Sequence, residues 1–253
     1  MADFSRQRGI SACQIALRRK ATWLLALMAF TLPVDAETPD TCWSFTPDAE
    51  MVSQTLYMPI EDVRHDLKVP VIYFEDRFDR VDGTEYEGQL FRAMNDSFAP
   101  VTRPQAAALI KENNRAYMTF VIHDKVPLEQ VLGIVAGELD RNVGRDLALF
   151  EETDAAFGLS KVSPIRWREI PESIRIDREV FVGREIGGAV SAVIVCDRTD
   201  DPKRQPSCTH DFRAQGIDIR ASYRSPYLKD WNEIQADISQ FIGCAVSAVN
   251  DKD

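Results

Sequence analysis

The first 36 residues constrain this chain most, because they decide the compartment in which it folds. A basic stretch closes at Arg18-Arg19-Lys20, an apolar run follows from Ala21 to Leu32, and Val34-Asp35-Ala36 ends in the small residues that a signal peptidase reads. This order of basic, apolar and small residues is typical of a secretory signal peptide. We therefore predict a signal peptide over residues 1–36 and a mature chain in the periplasm, where oxidising conditions allow cysteines to pair.

An uncleaved membrane anchor is the alternative interpretation of the same segment. A helix needs about 20 apolar residues to cross the hydrocarbon core of a bilayer, and the run from Ala21 to Leu32 is shorter. No later segment of the sequence is longer and equally apolar. We therefore expect no transmembrane segment after removal of the leader.

The mature chain is strongly acidic. Removing the five basic and two acidic residues of the leader leaves 25 basic against 38 acidic residues, a net charge of −13. Such a surface repels the phosphate backbone of nucleic acids, which is bound by clusters of lysine and arginine. The charge makes nucleic acid a poor candidate partner, and a basic protein, a cation or simply good solubility fits it better.

Four cysteines remain in the mature chain, since Cys13 lies in the leader. An even number in an exported chain indicates two disulfides, for which three pairings are possible. Cys196 and Cys208 flank a turn-rich loop between two predicted strands, so this pair would staple a hairpin and leave Cys42 with Cys244. The sequence cannot choose among the pairings. A structural zinc site is the rival, but no C-x-x-C pair is present.

Short runs of β-branched and aromatic residues alternate with turn residues along most of the mature chain, while few stretches have the helical period. The sequence predicts the α+β class, with an antiparallel sheet packed by a few helices. We expect an N-terminal extension over residues 37–54 and an α+β domain over residues 55–253. That domain has possible lobes at 55–145 and 146–253.

The best-marked element is a C-terminal amphipathic helix. Ser225 can cap it and Pro226 suits its first turn. Its apolar residues recur at helical spacing, which predicts a stripe facing the core: Leu228, Trp231, Ile234, Ile238, Phe241, Ile242 and Ala245. We assign Trp231 a structural role in this stripe.

We predict no catalytic residue, no metal and no cofactor. Each of the three histidines precedes an aspartate, at His65, His123 and His210, but neighbouring residues of a strand point to opposite faces and do not form a chelate. Ser191 lacks the G-x-S-x-G elbow of a hydrolase nucleophile. No glycine-rich loop is present to hold a phosphate.

Two acidic loops are the candidate binding surfaces. Carboxylates could steer a basic protein partner towards them and accelerate association. The first loop carries Glu75, Asp76, Asp79 and Asp82, and the second carries Asp197, Asp200 and Asp201.

The end of the chain resembles a group of exported proteins. The pattern is C-x11-C-T-H-D-F from Cys196, then Gly216-Ile217-Asp218-Ile219, Tyr223 and Leu228-x2-Trp231-x2-Ile234. It looks like the C-terminal region of uncharacterised exported proteobacterial proteins, some of which resemble periplasmic immunity proteins of type VI secretion toxins. The resemblance covers about the last fifth of the chain. It implies a shared sheet-and-helix core and transfers no catalytic residue.

The sequence therefore favours a non-enzymatic periplasmic binding protein, with an immunity-type inhibitor of a secreted toxin as the function implied by the resemblance. The toxin would be the basic protein partner. Two other classes stay open, namely a periplasmic hydrolase with an unmarked active site and a cell-envelope structural or assembly factor.

The leader prediction can be tested directly. Mass spectrometry of the protein isolated from periplasm should give an N-terminus at Glu37, because cleavage is expected after Ala36. Recovery of the intact chain from the membrane fraction would contradict this prediction.

Overall fold

The structure is a computed structural model that describes residues 42, 45–46, 48–139, 149–169, 171, 175–199 and 206–250. The predicted signal peptide lies outside these residues. So do Asp200 and Asp201 of the second acidic loop.

The described residues form eleven strands and three α-helices. The strands are β1 (Met51–Met58), β2 (Val63–Pro70), β3 (Thr84–Tyr86), β4 (Gly88–Met94), β5 (Tyr117–His123), β6 (Phe150–Asp154), β7 (Ser160–Pro164), β8 (Arg178–Arg184), β9 (Val190–Asp197), β10 (Ser207–Ala214) and β11 (Ile217–Arg224). The helices are α1 (Arg103–Lys111), α2 (Leu128–Leu139) and α3 (Trp231–Asn250).

Two sheets organise these strands. A small sheet has the order β2-β1-β3, and an eight-stranded antiparallel sheet has the order β4-β5-β11-β10-β9-β8-β7-β6. The predicted α+β class, with antiparallel sheet, few helices and a C-terminal helix, is confirmed. Because β5 pairs with β11, segments 55–145 and 146–253 share one continuous sheet.

Helix α3 packs on one face of the large sheet and against the small sheet. Every second residue of β1 and β5 is buried, which gives each strand one side towards this core. The centre of the core is Phe241, whose ring centroid lies 4.8–5.6 Å from five other aromatic rings: Phe45, Tyr73, Phe91, Phe98 and Phe120. Phe241 therefore joins α3 to segments that are far apart in the sequence.

Helix α2 covers the opposite face of the large sheet, but only in part. Its buried residues, which include Val131, Leu132 and Ala136, pack on the valines of β7, β8 and β9. Its main contacts are with these three strands. The helix therefore covers the sheet from β7 to about its middle, and a cleft runs along the edge of α2.

The structure contains both disulfides of the pairing that the hairpin argument favours. Cys196 and Cys208 face each other across β9 and β10, with their Cα atoms 4.0 Å apart. Cys42 is bonded to Cys244 of α3 over a sequence separation of 202 residues. The second bond ties the start of the described chain to its last helix.

The C-terminal helix begins later than the sequence predicts. Residues Ser225–Asp230 form a 3-10 helix, and α3 starts at Trp231. The N-cap residue of this 3-10 helix is Arg224, which makes no side-chain cap bond, and the backbone N–H of Ser225 donates to the carbonyl of Pro206 at 3.0 Å. This contact with the neighbouring loop replaces the expected N-terminal cap.

Trp231 locks the start of α3 onto the sheet. Its indole N–H donates to the carbonyl of Phe157 at 2.9 Å, and Phe157 has a positive φ of 65°. A Cβ added to Gly183 of β8 would lie 3.0 Å from Cη2 of Trp231 and 3.2 Å from Cβ of Ala192. The indole ring of Trp231 therefore occupies the space that a side chain at Gly183 would need.

Gly183→Val should destabilise the protein by about 1–3 kcal/mol, because the added methyl groups overpack this contact. The matched control is Gly133→Ala in α2, where an added Cβ meets no atom within 4 Å and the better helix propensity should stabilise by up to about 1 kcal/mol. Urea denaturation measures both. In a Trp231→Ala background the cost of Gly183→Val should shrink, and an unchanged cost would contradict the assigned contact.

His210 is a fully buried part of the same core. It lies on β10 under α3, with Nε2 at 3.0 Å from Oε1 of Gln235 and Nδ1 at 3.5 Å from the hydroxyl of Tyr223. Burial lowers the pKa of His210 to about 4, although the hydrogen bond to Gln235 partly opposes the shift. The imidazole is therefore neutral in the folded state.

This pKa predicts a loss of stability in mild acid. Because the unfolded chain titrates near 6.5 and the folded chain near 4, the unfolded state binds more protons between these values, and stability falls as pH drops through this window. From pH 8 to pH 5 the loss from His210 should be about 2 kcal/mol. Denaturation of wild type and His210→Gln at both pH values isolates it, and equal pH dependence in the two proteins would refute the assignment.

Candidate binding surface

The first predicted acidic loop, residues 75–82, forms an ordered surface that we name the Phe78 loop. The loop follows Phe74, which is buried and forms an isolated antiparallel β-bridge with Phe91 of β4. It precedes β3. A single 3-10 turn, Arg77–Asp79, forms its tip. Asp76 caps this turn by accepting a hydrogen bond from the backbone N–H of Phe78 at 3.2 Å.

Two carboxylates of the Phe78 loop are paired with arginines. Glu75 lies 2.8 Å from Arg92 of β4, and both side chains are largely buried. Asp76 lies 3.0 Å from Arg103 at the start of α1. These pairs neutralise half of the acidic side chains on which the sequence-based hypothesis of a charged loop depended.

The other end of the loop is bound to β1. The Asp79 carbonyl accepts a hydrogen bond from the Gln54 side chain at 2.6 Å. The carboxylate of Asp82 accepts one from the backbone N–H of Ser53, also at 2.6 Å. The four predicted acidic residues are thus close together, and three of them hold the loop in place through their side chains.

The fixed loop presents an apolar tip to solvent. The Phe78 side chain is 70% exposed, and the Arg77 guanidinium lies 4.8 Å from its ring centroid. Val81 in the loop and Ile72 just before it are also exposed. Sequence analysis identified the carboxylates and missed the aromatic residue, for which the only signal was a phenylalanine inside a run of charges.

The structure does not bring Asp197, the predicted acidic residue of the second loop that is described, to this surface. Asp197 ends β9, where it lies 3.6 Å from Arg178 and 3.3 Å from the Ser207 hydroxyl. Four strand spacings separate β9 from β4 in the large sheet, which is about 19 Å. Asp197 instead lines the cleft beside α2, which has a volume of about 430 Å³.

A buried ion cluster lies at the other end of this cleft. Asp211 of β10 contacts the Lys125 ammonium and accepts hydrogen bonds from Nε and Nη2 of Arg220 at 2.8 and 3.1 Å. Burial alone would raise the pKa of Asp211, but the two cations outweigh it and hold that pKa below its usual value. From the sequence, alternation along a strand predicts only that Asp211 faces away from its neighbour His210. It does not predict which cations lie beside Asp211.

The histidines lie apart, on β2, at the end of β5 and on β10. The part of the chain that the structure describes contains no group of three or more His, Cys, Asp or Glu residues arranged to hold a metal ion. Within that same part, no helix is both long and apolar enough to cross a membrane.

Comparison with known proteins identifies relatives in fold. No protein-family model matches the sequence, and no curated protein matches it by sequence. One solved structure with a similar fold is Smlt3025, an immunity protein of the Stenotrophomonas maltophilia type IV secretion system. It is 13% identical, with a TM-score of 0.54 over 80% of this chain and 96% of that chain.

A second solved structure is the iron-regulated outer membrane lipoprotein FrpD of Neisseria meningitidis. It is 10% identical, with a TM-score of 0.49 over 78% of this chain and 93% of that chain. At such identities the likeness to Smlt3025 shows the fold alone.

Proposed function

We propose that this protein is an exported binding protein of the immunity type, which neutralises a secreted protein toxin by covering part of its surface. The observation that carries the proposal is the Phe78 loop, which is anchored by hydrogen bonds and ion pairs and exposes an aromatic ring. The shared fold with Smlt3025, an immunity protein, is compatible with this function. The resemblance of residues 196–234 to exported immunity-like proteins supports it independently.

The loop has the physical properties of a protein-binding anchor. Exposed aromatic side chains are enriched at protein interfaces, and a few anchors carry most of the binding energy. Ordering a flexible loop on binding costs free energy, and a loop that is already fixed avoids that cost. The contacts of Glu75, Asp76 and Asp82 therefore favour tight binding without touching the partner.

The charge of the chain supports a basic partner. The whole sequence has a formal net charge of −10, so its long-range field attracts a cationic protein and accelerates encounter. Asp79 has no hydrogen bond or ion pair from its carboxylate to any described residue, and it lies beside Phe78. A basic rim around an apolar pocket on the toxin would complement this arrangement.

The proposal requires a secreted toxin encoded beside the gene of this chain, and that protein is the partner in the test. Phe78→Ala should raise the dissociation constant on the order of 30-fold, the effect of losing a hot spot of about 2 kcal/mol. Ile186→Ala is the matched control, because Ile186 is fully exposed in the β8–β9 turn, outside the loop. Isothermal titration measures both, and co-expression in the periplasm measures protection from the toxin.

Two outcomes would contradict the proposal at different levels. Failure of the wild-type chain to bind the toxin or protect cells would reject the immunity function. Binding by wild type with equal losses for Phe78→Ala and Ile186→Ala would retain the function and reject the Phe78 loop as its surface. Melting temperatures equal to that of wild type would show that both variants are folded.

A further inference from the structure

The cleft beside α2 combines an apolar wall with a charged end. Val131, Ile134 and Val135 of α2 form the wall, and Val195 and Thr209 belong to the floor. Lys125, Asp211 and Arg220 form the charged end, beside the strands on which α2 mainly packs. The cleft volume of about 430 Å³ falls in the range of small-molecule sites.

At this end two cations share one carboxylate, and the charge of Glu138 on α2 also acts on Arg220. One carboxylate, Asp211, is 2% exposed and contacts two cations, Lys125 and Arg220. The ammonium nitrogen of Lys125 is buried and has no other acceptor among the described residues. Lys125 therefore neutralises Asp211 from within the protein, and the charge of Arg220 stays available at the surface of the cleft.

Arg220 offers a free edge for an anion. Its Nε and Nη2 atoms bond Asp211, while Nη1 has no partner within the described part of the chain. The side chain is 43% exposed, so this edge is accessible from the cleft. A guanidinium edge binds a carboxylate through two parallel hydrogen bonds, which is a strong and directional interaction.

We propose that this cleft binds an aliphatic monocarboxylate, with its carboxylate on the outer edge of Arg220 and its hydrocarbon body against the apolar wall of α2. A single carboxylate would complete the hydrogen bonding of the outer edge of Arg220. Glu138 and Asp197 also line the cleft, are both exposed and lie 3.7 and 3.6 Å from Arg178, and their charges would disfavour a second anion. The ligand could be a free fatty acid or the C-terminus of a peptide that ends in an aliphatic residue.

This site is independent of the proposed toxin-binding function. It lies between α2 and strands β9–β11, whereas the Phe78 loop borders β1 and β4. The outcome of a ligand titration therefore tests the cleft whether or not a toxin binds elsewhere.

The experiment titrates the mature protein with decanoate and, as a matched neutral probe, decanol. Decanoate should bind at least tenfold more tightly than decanol, because only the acid can use Arg220. Acetyl-valyl-leucine as free acid and as amide forms the second arm. A preference for decanoate over the peptide acid identifies a fatty acid as the source, and the reverse preference identifies a peptide C-terminus.

Three variants locate the site. Arg220→Gln should reduce decanoate affinity at least tenfold to the level of decanol, and Arg220→Lys should retain part of the difference. Ile134→Trp should fill the cleft and weaken both probes while leaving the ion cluster intact. Arg64→Gln, an exposed arginine that pairs with Glu85 outside the cleft, is the control and should bind like wild type.

The proposal is overturned if neither acid binds at millimolar concentration, if acid and neutral probes bind equally, or if Arg220→Gln binds decanoate like wild type. Because Lys125 still pairs with Asp211 in Arg220→Gln, that variant should fold. Should its melting temperature fall nonetheless, Ile134→Trp decides the result, since decanoate binding that survives a filled cleft rejects the site.

Discussion

The packing of Phe241 is the contact on which the remainder of the fold depends. Its five aromatic neighbours come from the N-terminal segment, the turn after β2, β4, the loop after β4, and β5. Aromatic pairs contribute about 0.5–1.5 kcal/mol each beyond the area they bury. Cys244 follows on the same helix and bonds Cys42, so the disulfide and the ring cluster hold the same two ends of the chain together.

The placement of α3 on one face also determines what the other face can do. With α3 on the first face, α2 packs on the second, mainly over the strands from β7 to β9. The cleft at the border of α2 is lined in part by charged residues. A charged group at that border must find partners within the protein, which is why Asp211 has two cations around it.

The two surfaces discussed above use charge in the same way. In both places ion pairs fix the geometry of a surface: Glu75 and Asp76 hold the loop that exposes Phe78, and Lys125 and Arg220 share Asp211 at the end of the cleft. The exposed pair Asp76–Arg103 adds little to stability, because solvent screens it and the side chains lose entropy.

The sequence by itself determined the α+β class, the presence of an amphipathic C-terminal helix and the expectation of two disulfides, because these follow from local periodicity and from counting. Only the tertiary structure decided what the charges do. The partners of Glu75 and Asp76 are 17 and 27 residues away, and Asp211 meets cations from β11 and from the segment after β5. Periodicity reveals which face a residue occupies, whereas sheet order and register, set by packing around Phe241, decide which distant residue lies beside it.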